Sequence, residues 1–598
     1  MDSLVDIVTL DNLEQKLPRW DPSDFSHLHA IVDMGSNGVR FCIADLSPPR
    51  TRHLRCIYRE RAAISLFDAL SGQSSLFSEE TMKLVSQKLA WFRSIAINDY
   101  DVPPSQVRVF ATEAMRRAKN ATAMLEAIRS TCPNLSVHIL APPVETLFGS
   151  MGARSSFVDV KGLFLDLGGG SVQMTYLDTY GAESHSHETS TSPEVAAALA
   201  GQSLPFGAAH LIRMLESCDA EAQASEISRL RGGMSEAFRT LCARFPSLAR
   251  DAAEAQRGKD GEDEAAPGID IYLCGGGFRG YGSMLMYKHP IQPYPISSIG
   301  SFTVSGNLFG QTKDMLEFNK SFDGKIFGMS KRRRAQFPAI VAVVEALIAA
   351  VPPIRSATFC SGGNPEGALM MSLPAEIRKS NPLTHTGTFT GNSALFHPDA
   401  NMTFIQDVMD ALRSAFPPNL DLSRTTTIFG LQLDALYAAQ IWTQLGCDAE
   451  TNASAALHNA ISCPHQPGLT HLARAVLGVT TCARWGASLA PVDEPLYKNL
   501  RALIDLADSD ATFWADYTGA VTLAMATLVK RWPRTRSDIQ DKVRFQATAQ
   551  HGKRIQIQLK ISMNQEAMTG VDSGDILKIF KSLRKHKHPK YEVAVTVY

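Results

Sequence analysis

Ile31-Val32-Asp33-Met34-Gly35-Ser36-Asn37-Gly38-Val39-Arg40 is the stretch on which the reading of the fold turns. Ala30 to Asp33 has the apolar run of a strand, Gly35-Ser36-Asn37-Gly38 the composition of a tight turn, and Val39 to Leu46 the pattern of a returning strand. The same unit comes back at Gly162-Leu163-Phe164-Leu165-Asp166, Gly168-Gly169-Gly170-Ser171 and Val172 to Leu177. A strand ending in Asp, a Gly-rich turn and a returning strand, found twice, predict an internal duplication. Each copy opens one lobe, and a cleft lies between the lobes.

Working outward from the first unit, Leu54 to Ile64 offers a third strand and Glu79 to Ile97 an amphipathic helix. Gln106 to Thr112 reads as a strand, Ala121 to Ser130 as a helix, Ser136 to Leu140 as a strand, and a further helix starts near Val144. A meander followed by alternating helix and strand suits a mixed α/β layer. Around the second unit, Ile271 to Cys274 is a strand running into Gly275-Gly276-Gly277. Phe337 to Ala350 is a buried helix, and Ser356 to Cys360 a strand ending at Ser361-Gly362-Gly363. Ahead of Ile271, the charged, Gly-containing run from Arg257 to Glu264 reads as an exposed loop.

The texture changes after about residue 385. Ala- and Leu-rich helical patterns fill Phe404 to Trp532; Arg554 to Ile561 then alternates like a strand, with a helix at Asp575 to Leu583 and a strand at Tyr591 to Val597. The expected organisation is a lead-in at 1–27, a first lobe at 28–160, a second lobe at 161–384, a helical domain at 385–540 and a small α+β piece at 541–598.

Composition narrows the function. A chain of 598 residues suggests about three or four domains. The formal net charge of −1 gives no global basic field to draw the chain onto nucleic acid or a membrane surface, so an anion site has to be local. The ten cysteines are scattered singly with no Cys-x-x-Cys pair, which argues for a reduced, intracellular protein without a zinc ribbon. Met1 to Asp6 lacks a basic leader, and no stretch approaches the about 18 apolar residues of a spanning helix. The expectation is a cytoplasmic protein with no direct nucleic-acid or membrane partner.

A Gly-rich turn between strands can aim several backbone N–H groups at one anion, because phosphate can approach a backbone that carries no side chain. An acidic residue just before the turn can hold Mg²⁺. Asp33 with Gly35, Ser36 and Asn37, and Asp166 with Gly168, Gly169, Gly170 and Ser171, are two such units. One turn alone reads equally well as a plain tight turn; two at the starts of matching lobes favour a phosphate grip.

These motifs resemble those of the exopolyphosphatase/guanosine-pentaphosphate phosphohydrolase (Ppx/GppA) family. Ile31 to Arg40 is similar to its first phosphate motif, and Ala111-Thr112-Glu113-Ala114-Met115-Arg116-Arg117-Ala118-Lys119-Asn120 to its Ala-Thr…Arg-x-Ala-x-Asn segment. Asp166-Leu167-Gly168-Gly169-Gly170-Ser171 resembles its second phosphate motif and Ser203-Leu204-Pro205-Phe206-Gly207 its Leu-Pro-x-Gly signature. The resemblance spans roughly residues 28–375. It implies an actin-like (ribonuclease H-like) duplicated two-lobe ATPase fold, followed by a helical, degenerate HD-like domain and the small α+β piece. It also implies Mg²⁺ on Asp33 and Asp166. Phosphate or nucleotide contacts are implied from Gly35, Ser36, Asn37, Arg40, Arg116, Gly168, Gly169, Gly170, Ser171, Gly275, Gly276 and Gly277.

The water-activating glutamate of the family falls in Pro142-Pro143-Val144-Glu145-Thr146, where Glu145 is kept and the preceding family glutamate is Val144. Read by itself, Glu145 is a first-turn acid favoured by the helix dipole; the resemblance implies a general base. The sequence also departs at Val172-Gln173, where a carboxylate gives way to an amide, and at Gly362-Gly363-Asn364-Pro365-Glu366-Gly367, where Pro365 replaces the family arginine. In the helical segment Asn459 of Leu457-His458-Asn459 stands where a metal-ligating Asp would be, near His465 and His471, and reads as a structural relic. Lys331-Arg332-Arg333-Arg334 reads as a solvated helix start ahead of a nuclear signal, and the Lys581 to Lys590 stretch with His586 and His588 is read in the same way.

Gly-Ser-Asn-Gly and Val-Glu-Thr are shared with the fungal retrograde regulation group of the family. That likeness implies a cytosolic regulator that relays mitochondrial or metabolic state to transcription factors through regulatory protein partners. The lead expectation is a sensor of a phosphate-chain or nucleotide ligand (ATP, GTP, guanosine tetraphosphate or polyphosphate) with slow phosphoanhydride hydrolysis. The alternative is a working exopolyphosphatase or guanosine-pentaphosphate-type phosphohydrolase; sugar or acetate kinase chemistry ranks third. Homodimerisation stays open.

Overall fold

The computed structural model describes residues 5–70, 75–180, 192–257, 267–384, 398–444, 446–462, 466–533, 537–564, 570–581, 583 and 588–598, with side chains left out at 398–403 and 537. Two compact units result, one made of residues 1–288 and 298–382, the other of 289–297 and 383–598.

The first unit is built on two six-stranded sheets. In the first, β1 (Asp6–Val8), β2 (Leu28–Gly35), β3 (Gly38–Asp45), β4 (Arg55–Ala62), β5 (Val107–Ala111) and β6 (Val137–Leu140) lie in the order β1-β6-β5-β2-β3-β4. β2, β3 and β4 are an antiparallel meander, while β5 and then β6 add parallel to β2. The second sheet holds β7 (Lys161–Leu167), β8 (Val172–Asp178), β9 (Gln202–Leu204), β10 (Ile269–Cys274), β11 (Phe302–Ser305) and β12 (Ile354–Phe359), in the order β11-β12-β10-β7-β8-β9. It repeats the scheme: an antiparallel meander β7-β8-β9, then β10 and β12 parallel to β7. A meander followed by two parallel strands, built twice from one chain, is the duplicated ribonuclease H-like topology expected from the repeated turns. The edges differ. β1 adds parallel to β6 and draws part of the lead-in into the sheet, and β11 adds antiparallel to β12. Neither edge strand was legible, since three or four residues carry too little period-2 signal.

Alternation along β2 decides which side chains serve the core and which the cleft. Ala30, Val32 and Met34 pack into one cluster with Phe41, Phe92 and Val109, beneath the helix Glu79–Ser94. Ile31 points to the opposite face, where Phe110, Leu140, Leu147, Phe148, Met151 and Leu369 form a second cluster. Asp33 shares the face of Ile31 and, being last in line, ends where that cluster gives way to the cleft.

The helices Pro142–Arg154 and Asn364–Ser372 follow β6 and β12 and pack against each other. Their backbones approach so closely that a Cβ on Gly152 would run into the Gly363 carbonyl, and one on Gly367 into the Phe148 carbonyl. Each helix starts at the cleft.

Most of the segment before the charged run is helical. Asp219 caps Ala220–Arg244, whose buried stripe includes Leu230, Met234 and Leu241, and Pro246–Arg257 follows. The run itself, 258–264, lies outside the described residues. Gly275-Gly276-Gly277 is the start of the helix Gly275–Tyr287.

The second unit contains the helices Pro398–Arg413, Asp434–Gln440, Ala449–Ile461, His471–Arg484, Glu494–Ala507 and Ala511–Leu528, and a three-stranded sheet. In that sheet β13 (Val543–His551) is antiparallel to β14 (Ile555–Met563), and β15 (Tyr591–Val597) is parallel to β14. Phe513 on the buried helix stacks on Tyr591 of β15 at 4.8 Å between ring centres. The HD-like detail gains no support here. Asn459 is exposed, His458 pairs with Asp493 at 2.8 Å, and His471 is bonded to Tyr294 at 2.8 Å. His465 and His586 lie outside the described residues. Among the described residues no three His, Cys, Asp or Glu side chains gather as a metal set, and no helix is long and apolar enough to cross a membrane.

Candidate functional site

Both Gly-rich turns open into one cavity of about 480 Å³ in the first unit. Of the fifteen residues expected there, fourteen line it: Asp33, Gly35, Ser36, Asn37, Arg40, Glu145, Asp166, Gly168, Gly169, Gly170, Ser171, Gly275, Gly276 and Gly277. Arg116 does not. Its guanidinium stands behind Glu145, donating to the Leu140 carbonyl at 2.6 Å and pairing with Glu145 Oε2 at 2.8 Å.

The two turns touch. A Cβ on Gly169 would lie 2.5 Å from Asn37 Nδ2, and one on Gly170 would lie 2.5 Å from Glu113 Oε2. Glycine at these positions lets one lobe reach the backbone of the other. Each turn is anchored through its carbonyl oxygens. Ser36 O accepts from Phe67 N–H at 2.9 Å and Asn37 O from Arg61 at 2.9 Å. In the second turn the oxygens of Gly168, Gly169 and Gly170 accept from N–H groups at Gly207 to His210. The Leu-Pro-x-Gly signature thus serves as the anchor of the second turn. The N–H groups of Gly169 and Gly170 take no backbone partner among the described residues, as an anion-binding turn requires.

Gly275 is the tightest of the glycines that line the cavity. Its φ of +84° is disfavoured for residues with a Cβ, and a Cβ there would collide with Asp166 Oδ1 and the Leu167 carbonyl. It brings the N-terminus of the Gly275–Tyr287 helix to the cleft, where helix N–H groups favour negative charge.

Three carboxyls, Asp33, Asp166 and Glu145, line the cavity. Burial pushes Asp33 up to about 6, with Arg40 pulling it down and Asp166 adding repulsion. Burial likewise raises Asp166 above the ordinary carboxylate range, against the pull of Arg40 and Arg279. Glu145, its side chain 12% exposed, is pushed up to about 7 by burial; Arg116 opposes the rise, and Asp33 and Asp166 add to it. The residues fit a hard divalent cation. Asp33 Oδ1 and Asn364 Oδ1 are buried without a hydrogen-bond partner. Asp166 Oδ2, Asn364 Oδ1 and Gln173 Oε1 all come within 3.7–4.0 Å of where a Cβ on Gly149 would be. A set of carboxylate and amide oxygens suits Mg²⁺.

The sequence reading missed the other wall. Arg61, Arg279, Arg332 and Arg333 line the cavity with Arg40. Arg332, expected to be solvated, reaches from the second lobe to Asn37 Oδ1 at 3.0 Å, Ser65 Oγ at 3.1 Å and Asp68 Oδ2 at 2.9 Å in the first. Arg40, Arg61, Arg279 and Arg333 make no ion pair among the described residues. Burial, together with Arg279, Arg61 and Arg40, brings Arg333 down to about 10. Arg332 is 295 residues from Asn37, so no local pattern signals it. Asn364, first residue of its helix and seated where the late motif departs from the family, was missed for the same reason.

Twice-built ribonuclease H-like topology, closing two glycine turns and paired aspartates on one cleft, defines an actin-like two-lobe protein. Residues 47–255 match the model of the Ppx/GppA phosphatase family, and residues 397–594 that of the RTG2 C-terminal domain. Retrograde regulation protein 2 of Saccharomyces cerevisiae is 30% identical over 517 residues, 83% of this chain and 80% of that protein. The chain belongs to the Ppx/GppA family, on the side of it that contains this yeast protein. Among solved structures, an exopolyphosphatase from Cytophaga hutchinsonii covers 58% of this chain with 97% of its own, at 18% identity and a TM-score of 0.41. The Aquifex aeolicus Ppx/GppA phosphatase covers 58% with 99% of its own, at 18% identity and a TM-score of 0.41.

Proposed function

We propose that this protein is a phosphate-ligand sensor on a Ppx/GppA scaffold. It acts as a cytosolic regulator in mitochondria-to-nucleus retrograde signalling and passes its state to protein partners of a transcriptional pathway. The observation that carries the ligand class is the set of four guanidiniums, Arg40, Arg61, Arg279 and Arg333, that make no ion pair among the described residues and face two glycine turns across one cavity. Guanidiniums held close against mutual repulsion are stabilised by a multiply charged anion, and planar forks suit phosphate oxygens. The relative's name supports the regulatory role.

Asp33 and Asp166, with Asn364 beside them, would hold Mg²⁺, which when bound supplies neutralisation of charge on phosphoryl oxygens. The N–H groups of the second turn would hold the terminal phosphate, and Arg40 and Arg279 would orient the chain. Glu145 would take a proton from water at its free carboxylate oxygen, Arg116 fixing the other. Its value of about 7 matches a general base at neutral pH.

Two features favour sensing over turnover. Val144 is fully buried in the core and offers no second carboxylate, and Gln173 presents an amide where an acid would help activate water. The experiment is a thermal shift against ATP, GTP, guanosine tetraphosphate and tripolyphosphate, each with and without Mg²⁺, alongside an assay of released phosphate. Stabilisation by one ligand with slow release supports the sensor. Release at the rate of a metabolic hydrolase would make the protein an enzyme, and no shift with any ligand would end the reading.

A further inference from the structure

Glu113 is an acid of the cavity wall that touches the first turn and lies against the second. It is the first residue of the helix Glu113–Arg117 in the first lobe. Its Oε2 accepts from Ser36 Oγ of the first turn at 3.0 Å. The same oxygen lies against Gly170 of the second turn, 2.5 Å from where a Cβ would be. Arg117 one helical turn on holds Oε1 at 2.9 Å. Two bonds from its own lobe thus hold this carboxylate beside Gly170 of the glycine turn in the other.

We propose that Glu113 is a resident competitor for the anion position of the second turn, which makes it the residue that sets how tightly this cleft takes a phosphate chain. This rests on the reading that the cleft binds such a chain. A glycine turn whose N–H groups attract phosphate attracts carboxylate for the same reason. A phosphate arriving at Gly170 must displace the Glu113 carboxylate or sit beside it, and like charges at that distance repel strongly. Ser36 and Arg117 hold the displaced and undisplaced forms differently: the hydroxyl is lost to the ligand, while Arg117, at the outer side, can keep the carboxylate once it has swung away. The arrangement suits a sensor that has to ignore scarce single anions and respond to a chain carrying enough charge to use the arginine wall as well.

The test is calorimetric titration of the full chain with tripolyphosphate in Mg²⁺ buffer, comparing wild type, Glu113→Gln and Glu113→Ala. The Gln variant keeps an acceptor for Ser36 and removes the charge; the Ala variant also removes the bulk. Melting curves report that each is folded. Both variants should bind about tenfold more tightly than wild type, the size of effect expected for removal of one close like charge. A merely structural role for Glu113 would weaken binding. Equal or weaker binding by folded variants, with wild type binding, overturns the competitor and leaves the phosphate reading standing. No binding by any of the three proteins overturns both.

Discussion

Asp33, Asp166 and Glu145 are carboxyls placed where water would otherwise solvate them, and all three are raised by burial. A raised acid binds more protons folded than unfolded in the window between its ordinary and its raised value, so stability falls as pH climbs through that window. With Asp33 at about 6 and Glu145 at about 7, the melting temperature of the metal-free protein should fall between about pH 4 and pH 7. Glu145→Gln should flatten the upper part of that fall; an unchanged profile in melting scans would show that Glu145 is not held protonated by its site. Mg²⁺ should stabilise more at pH 7.5 than at pH 5, because only ionised carboxylates bind it well. Asp166→Ala should abolish Mg²⁺-dependent ligand affinity while the far-UV spectrum and the cooperative melt survive, and retained Mg²⁺-dependent affinity in a titration would count against a metal role. In any slow hydrolysis, Glu145→Gln should cost about 10²–10⁴-fold in rate with ligand affinity kept. Full signalling by that variant in a fungal host would mean that binding carries the message, and lost signalling with intact binding would favour the enzyme.

At the scale of elements, the cleft is positioned by two helices that can cross only because their contact is made of glycine. Gly152 and Gly367 leave no room for a methyl group against the opposing carbonyls. Gly152→Ala should therefore destabilise the protein by about 1–3 kcal/mol, the usual cost of forcing bulk into a packed contact. It should also weaken ligand binding, because the helix starts at Pro142 and Asn364 carry Glu145 and the Asn364 amide to the cavity. Denaturant unfolding checks the first effect; an unchanged midpoint would mean that the helices can slide apart without loss.

Across the first unit, lobe contacts converge on a few side chains. Asp68 of the first lobe accepts from Arg332 and, at 2.6 Å, from Arg213 of the second, while Arg59 and Glu366 pair at 2.7 Å across the cleft. A phosphate chain that bridges both turns should slow amide exchange at 33–38 and 166–171 together. Exchange mass spectrometry with tripolyphosphate and Mg²⁺ measures this, and protection of one turn alone would contradict a ligand shared between lobes.

The repeated strand, Asp and glycine turn were enough for the duplication and the cleft, and fourteen of the fifteen residues expected at the site line the cavity, because a turn made of contiguous backbone leaves a contiguous motif. Arg116 departs from this, for its place behind Glu145 depends on how one helix stands against the end of β6. Arg61, Arg279, the adjacent Arg332 and Arg333, Glu113 and Asn364 come from five separate elements, and their charges and dipoles act together only once the lobes close. The same run Lys331 to Arg334 would be a solvated helix start on an open surface. Sequence by itself thus determined the backbone of the site, since local geometry depends on neighbouring residues. Only the tertiary structure decided its electrostatics, since Coulomb interactions depend on distances in space that chain separation does not report.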